Sequence, residues 1–356
     1  MILMWKPVLK NLILAISVCF LTTASVVKAD DTKVSGRLYS YWGMDISDGG
    51  DNANEFALGR AYLTVRSKLS EFTSLRITTD LREAQDTDGN TQYNIILKYG
   101  YIDWRPAFAN EALKVRFGLQ PTPYIDYQNK LWGRRYLSKT VSDINKYLTT
   151  SDLGISLNVE LGMDEKLGQI AVALFNGTSY SKLGEKNSQK DFNAYGRLNP
   201  FWENNDFKRT TLIAQFYYGT QNIIISNLVE ASDYSRQLIS IGGLLAYRNT
   251  FDIGLDLNWY TTGQGPNTND LSQSGLSIHT TLYFKDAQGQ DLAMRNLNLF
   301  GRIDLNDPNT DLADDGNIYI IGGIEMVLTK GFKTSLNIRS RSFERANSTT
   351  QKRAVC

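Results

Sequence analysis

Alternation of apolar and polar residues, repeated in short segments from residue 34 onward, constrains the fold of this chain most strongly. Within residues 61–69, Leu63 and Val65 alternate with Thr64 and Arg66. A period of two places successive side chains on opposite faces of a β-strand, so each segment has one apolar and one polar face. The pattern recurs in residues 75–81, 153–161, 251–259, 276–284 and 297–305. The sequence therefore predicts an all-β fold.

The connections between these segments alternate in length. About fifteen segments are visible, and those with even numbers are mostly followed by short connections, such as residues 162–166 and 248–250. The connections after odd-numbered segments are longer and polar, at residues 43–55, 82–92, 120–150, 176–190, 219–235, 261–274 and 306–316. A soluble sandwich or propeller gives no reason for this alternation, whereas a membrane-spanning barrel has short turns at one end and long loops at the other. We therefore predict a transmembrane antiparallel β-barrel.

Two segments depart from regular alternation. Residues 94–104 change phase near Lys98, and residues 238–248 are apolar on both faces. Each departure predicts either a β-bulge or a different strand register.

The number of segments bears on how the barrel closes. Bacterial barrels have an even number of strands and both termini in the periplasm, so about 16 strands are expected. Residues 344–356 offer no apolar face and are expected to form an external loop, which would leave the last strand missing. The next reading frame would then encode about ten alternating residues, enough for one barrel strand. The alternative is a miscount by one strand.

The N-terminal residues predict export. Lys6 and Lys10 precede an apolar stretch at residues 12–21, and a small-residue cleavage site follows at Val27-Lys28-Ala29. These are the three parts of a secretory signal peptide, which we place at residues 1–29, with the barrel at residues 30–356. A lipoprotein attached through Cys19 is less consistent with the sequence, because Val18 precedes that cysteine. Export combined with a barrel predicts the outer membrane of a Gram-negative cell.

Composition argues against two classes of protein, those that bind nucleic acid and those that disulfides stabilise. Removal of residues 1–29 takes away three lysines and no acid, so the formal net charge falls from +1 to −2. No basic excess suggests a nucleic-acid partner. Cys356 is the only cysteine after residue 29, so disulfides within the mature chain do not stabilise the fold.

Residues 115–124, which read Val-Arg-Phe-Gly-Leu-Gln-Pro-Thr-Pro-Tyr, resemble a strand end in the family of phosphate-selective porins O and P. In that family a glycine-containing strand runs into a Thr-Pro-aromatic turn. Similar features follow in order at residues 132–135, 139–140, 176–177, 190–191 and 197–198. The resemblance extends over most of residues 34–343 and implies a 16-stranded, usually trimeric diffusion channel in outer-membrane lipid. The chain departs from the family in lacking a C-terminal aromatic strand and a dense arginine ladder.

The charges and the longest connection locate the candidate pore. The polar faces of the first strands are basic, and those of later strands carry more acids. The charges either pair across strands or favour anions in the lumen. The connection at residues 120–150 is predicted to fold inward as a constriction, the alternative being a loop that caps the barrel or binds surface sugars. The predicted pore and anion-binding residues are Arg37, Arg66, Arg76, Arg116, Lys130, Arg134, Arg135 and Lys139.

Enzyme, metal and cofactor functions find little support. His279, the only histidine, shares a strand face with Ser277, but such neighbours lie about 7 Å apart and no oxyanion motif follows. We interpret it as a solvated lumen residue. The acidic loops lack calcium-loop spacing, so no metal and no cofactor are predicted. The predicted function is passive diffusion of small hydrophilic solutes. A preference for anions or phosphate is a further hypothesis. The alternative is a surface barrel with adhesive or ligand-binding loops and a closed lumen.

Overall fold

The computed structural model describes most of the chain beyond the predicted signal peptide. The described residues are 31–47, 54–85, 89–109, 112–162, 166–182, 184–225, 230–284, 296–329, 331–344 and 351–355, without the side chains of the last range. Residues 1–29, including Cys19, and residue Cys356 lie outside them.

Sixteen antiparallel strands form one closed barrel in which consecutive strands are neighbours. The strands are β1 (Thr32–Asp45), β2 (Asn54–Lys68), β3 (Thr73–Gln85), β4 (Thr91–Trp104), β5 (Leu113–Pro121), β6 (Ser151–Leu161), β7 (Gly168–Phe175), β8 (Asp191–Leu198), β9 (Thr211–Thr220), β10 (Ser235–Tyr247), β11 (Phe251–Thr262), β12 (Leu271–Tyr283), β13 (Leu297–Asp307), β14 (Asn317–Thr329), β15 (Phe332–Phe343) and β16 (Gln351–Val355). The predicted all-β barrel of about 16 strands is confirmed. We call the end at which β2 meets β3 and β10 meets β11 the short-turn end.

Helices are confined to the connections. Helix α1 (Pro123–Trp132) and helix α2 (Val141–Ile144) lie between β5 and β6, and single 3-10 turns occur at Ala107–Ala109 and Ser232–Tyr234. Proline in the first turn of α1 suits a helix start, and Gly133 ends the helix in the left-handed conformation at φ 66°. In the described part of the chain, no helix has the length and apolarity needed to cross a membrane.

The alternating side chains divide as the sequence predicts. Leu63, Leu157 and Ile278 point outward and are 53%, 49% and 47% exposed, whereas Asn158 and His279 point inward and are 5% and 4% exposed. An apolar belt of this size around a barrel is stable in lipid and not in water. The apolar outward face and polar inward face predicted for these strands are therefore confirmed.

The bulge predicted near Lys98 is present. Thr78 on β3 is paired with Tyr99 and Thr79 with Leu97, so Lys98 is the extra residue on β4. Because the bulge shifts the phase, Lys98 and Tyr99 are both buried on the inner face.

Strand β10 has a regular register with both neighbours, so the irregularity predicted there is wrong. Ile241 and Leu245 point outward, and Leu238 points inward. The inner face is apolar because Leu238 packs against Ile125 of α1 and is completely buried.

Barrel closure differs from the sequence-based expectation. Strand β16 pairs with residues 43–45 of β1 and with residues 337–341 of β15, so the expectation that residues 344–356 supply no strand is wrong. Backbone pairing does not need the apolar face on which that expectation rested. Among the described residues, 32–42 of β1 and 332–336 of β15 have no strand on their second edge.

Candidate pore constriction

The connection between β5 and β6, residues 122–150, runs inside the barrel and is called here the lumen loop. Tyr124 donates a hydrogen bond from its hydroxyl to Oδ1 of Asp256 on β11, at 2.8 Å. The hydroxyl of Ser142 donates to Oδ1 of Asn258, at 2.7 Å. These partners point inward from the wall opposite β1–β4, so the lumen loop crosses to that side.

Apolar packing holds the lumen loop against this wall. Ile125, Tyr147 and Leu148 form one buried cluster with inward residues of β7, β9 and β10. Trp132 and Leu137 form another with Phe300 and Ile321. A fully buried apolar side chain contributes about 1.5–3 kcal/mol, so several together fix the loop in place.

Close approach of α1 to β10 requires a glycine. A Cβ atom on Gly242 would lie 2.3 Å from Nε2 of Gln128 and 2.8 Å from the hydroxyl oxygen of Tyr124. The backbone oxygen of Leu255 would be only 2.6 Å away. Any larger residue would therefore push α1 from the wall.

Arg134 anchors the lumen loop, contrary to its predicted place in the pore. Its side chain is 5% exposed, and Nη2 lies 3.2 Å from Oε1 of Glu325 on β14. Its Nη1 donates to the hydroxyl of Thr281 at 2.9 Å. Tyr136 donates to the other oxygen of Glu325 at 2.8 Å.

The other predicted cations of the lumen loop pair within it. Arg135 and Lys139 both lie 3.4 Å from Asp143, and Lys130 lies 2.8 Å from Asp126. Lys130 is nevertheless 64% exposed, whereas the side chain of Arg135 is 19% exposed. Lys130 is therefore more accessible than Arg135, and part of the charge of all three cations is compensated.

Asp126 faces the basic strands across the lumen. Burial raises the pKa of its carboxyl group, but the charges of Lys130, Arg76 and Arg116 outweigh burial and leave that pKa below its ordinary value. Asp126 is therefore ionised at neutral pH.

The wall opposite the lumen loop carries a basic row, defined here as Lys33, Arg37, Arg66 and Arg76. Arg66 on β2 is the pairing partner of Lys33 on β1 and of Arg76 on β3. Among the described residues, no carboxylate lies within salt-bridge distance of any member of the row. Lys33 was not predicted as a site residue, although its alternation with Val34 places it on the inner face.

Aromatic rings support part of this wall. The guanidinium carbon of Arg76 lies 4.4 Å from the centroid of Tyr99, and Nη1 donates to the hydroxyl of Tyr101 at 3.4 Å. Arg116 differs, because it also donates two hydrogen bonds to Asp103, at 2.6 and 2.9 Å. Its charge is therefore largely compensated.

The inward carboxylates of the far wall are covered. Side-chain exposure is 1% for Asp191, 6% for Asp252, 5% for Asp304 and 2% for Glu325, and Asp256 is 3% exposed. Four of these acids pair with Arg236, Arg209, Arg302 and Arg134, and Asp256 accepts from Tyr124 and Asn258. The open part of the lumen is therefore lined by exposed cations and few exposed acids.

His279 is buried and packed, so its interpretation as a solvated residue is wrong. Its ring lies 5.3 Å from that of Trp132 in an edge contact. Neither ring nitrogen has a hydrogen-bond partner among the described residues. The described residues also contain no group of three His, Cys, Asp or Glu side chains arranged to hold a metal ion.

The similarities to known proteins are structural. No protein-family model matches the sequence, and no curated protein matches it at a significant level. The anion-selective porin from Comamonas acidovorans has a TM-score of 0.60 at 11% identity, over 91% of this chain and 98% of that one. The outer membrane channel DcaP of Acinetobacter baumannii has a TM-score of 0.59 at 11% identity, over 93% and 98%. OmpT of Vibrio cholerae in its trimer form has a TM-score of 0.59 at 10% identity, over 92% and 98%. The chain has the barrel fold of these outer-membrane porins.

Proposed function

We propose that this protein is an outer-membrane diffusion channel that favours small anions over cations. The apolar outer belt supports insertion in lipid, and the signal-like N-terminus supports export. The lumen loop supports a narrowed path, because it occupies one side of the barrel and leaves the basic row facing the remaining space.

One observation carries the anion preference. The cations of the basic row have no carboxylate partner among the described residues, whereas the acids of the far wall are buried and bonded. Fixed charge at a narrow wet passage dominates the energy of a passing ion, and unpaired cations concentrate anions near them.

The row supports a preference for anions as a class. Arginine can donate two parallel hydrogen bonds to a carboxylate or to a phosphate, so Arg37, Arg66 and Arg76 do not separate these ligands. The preference for phosphate rests on the resemblance of residues 115–124 to the phosphate-selective family. A homotrimer is part of the proposal, supported by the trimer form of OmpT among the similar structures.

Single-channel recording in planar bilayers tests whether the protein is a channel. Refolded protein should produce steady current steps that are linear in voltage, and detergent alone should produce none. The absence of steps from protein that shows folded, heat-modifiable mobility on a gel would favour the surface barrel with a closed lumen.

A further inference from the structure

A second cationic site lies at the short-turn end of the lumen, on the far side of the lumen loop from the basic row. The loop and the inner faces of the strands enclose a cavity of about 410 Å³ there, called here the short-turn cavity. Its lining includes Lys130, Arg209, Lys333, Leu131, Leu244 and Val327. Cavities of roughly 300–1,000 Å³ are the usual size for small-molecule sites.

Four basic residues and two acidic residues line the short-turn cavity, an excess of two positive charges. Both acids already accept hydrogen bonds from the protein. Glu325 accepts from Arg134, Tyr136 and Asn298, and Asp252 accepts from Arg209 and Tyr283. Part of the negative charge of both acids is therefore already compensated.

The most exposed cationic groups of the cavity are two lysines, since the side chain of Arg209 is 34% exposed and pairs with Asp252. Lys130 is 64% exposed and Lys333 is 47% exposed, whereas Arg134 is 5% exposed. Lys333 lies 3.8 Å from Glu325, which is a long contact for an ion pair. The Lys333 ammonium group can therefore turn toward an anion that enters the cavity, and Lys130, which pairs with Asp126 at 2.8 Å, adds positive charge beside it.

Three aliphatic side chains form one part of the remaining lining, beside polar groups of Thr281, Tyr283, Asn296 and Asn298. Leu131 comes from the lumen loop, Leu244 from β10 and Val327 from β14. An inorganic phosphate needs donors around most of its oxygens, and an aliphatic surface would remove water from some of them without replacement. A carboxylate attached to an apolar body can instead place its charge at the lysines and its body on the leucines.

Resting on the proposed function, we propose that the short-turn cavity is a transit site for carboxylates with an apolar body, such as aromatic acids. It would favour these solutes over inorganic phosphate and over short carboxylates. The basic row then attracts anions in general, and the cavity selects among them by their apolar part.

Calorimetric titration of the refolded protein in detergent tests this proposal without requiring an open pore. Benzoate should bind about tenfold more tightly than acetate or inorganic phosphate, since burial of its ring adds apolar contact. Replacing Lys333 by Gln should weaken benzoate binding about tenfold, because one charge-assisted contact is lost. Leu244→Ser should weaken benzoate and leave acetate unchanged.

Lys186→Gln is the matched control, because Lys186 is an exposed lysine in the loop before β8. Equal binding of benzoate and phosphate, or unchanged benzoate binding in the folded Lys333→Gln variant, would overturn the proposal. Current steps in planar bilayers report separately on the channel, so loss of the channel function and loss of this site are distinguishable.

Discussion

Arg66 on β2 lies directly opposite Arg76 on β3, and no carboxylate of the described residues lies within salt-bridge distance of either. Like charges in directly opposed positions of a sheet destabilise it. The ring of Tyr99 lies 4.4 Å from the guanidinium of Arg76 and offsets part of that cost. The protein therefore holds two cations together on the open wall of its lumen.

Neutralising this pair should reduce anion preference. A unit charge about 4 Å from an ion in water changes its energy by about 1 kcal/mol, or roughly fivefold in partition. We expect Arg66→Gln and Arg76→Gln each to lower the ratio of anion to cation permeability, and the double variant to lower it further. Reversal potential in a salt gradient measures the ratio.

Lys182→Gln is the control for these variants, because it removes one charge from an exposed loop position. If this control changed the reversal potential as much as Arg66→Gln does, the effect would come from net charge and not from the basic row.

Asp126 should oppose the basic row. Its carboxyl pKa is lowered, so the group is charged at neutral pH and attenuates the field of Arg76 and Arg116. Asp126→Asn should therefore increase anion preference, in the opposite direction to Arg66→Gln. Reversal potentials measured at pH 7 check the sign, and a shift toward cations would remove Asp126 from the permeation path.

The pair of Arg134 and Glu325 should hold the lumen loop. Removing one partner from a buried ion pair costs about 3–5 kcal/mol, because the other charge stays buried. Arg134→Met should therefore lower the denaturant midpoint and produce larger, noisier current steps. Adding Glu325→Met should recover part of the loss, since both charges are then gone. Equal stability of the wild type and Arg134→Met would contradict the anchoring role.

Gly242 should be required for the position of α1. An added methyl group would meet Gln128, Tyr124 and the backbone of Leu255, and overpacking of this kind costs about 1–3 kcal/mol. Gly242→Ala should change single-channel conductance by displacing α1. Gly196→Ala on β8 is the control, because nothing lies within 4 Å of its added Cβ. Similar conductance in the two variants would place α1 elsewhere.

The two faces of the first strands should differ in their tolerance of charge. Leu63 points outward and is 53% exposed, and Ser35 points into the lumen at a neighbouring level. Arginine facing lipid near the midplane costs about 2–4 kcal/mol, and much less where water is present. Folding titrations into lipid vesicles should therefore show a large loss for Leu63→Arg and a small one for Ser35→Arg, and equal losses would reverse the assignment of faces.

Local periodicity was sufficient to predict the faces of the strands and the bulge at Lys98. Each of these features depends on neighbours in the sequence, such as the change of phase between Leu97 and Tyr99. Contacts between residues far apart in the sequence could not be predicted from periodicity. Arg134 and Glu325 are 191 positions apart, and nothing periodic in the loop indicates that one binds the other.

The apolar inner face of β10 is a second case in which a local pattern does not reveal a long-range contact. Leu238 is apolar because Ile125 of the lumen loop covers it, and a pattern read along one strand does not reveal a covering helix. The closing strand β16 was missed for a different reason. Its five residues pair through the backbone, and backbone hydrogen bonds leave no signature in side-chain polarity.

The most direct measurement of the central claim is the reversal potential of the wild-type protein in a KCl gradient across a planar bilayer. Potassium and chloride have similar mobility in water, so the sign of the potential reports the fixed charge of the lumen. The unpaired basic row predicts the sign of a chloride-selective channel, and a smaller value as rising salt screens the charges. A potential of the opposite sign, or one indistinguishable from zero at low salt, would contradict the account.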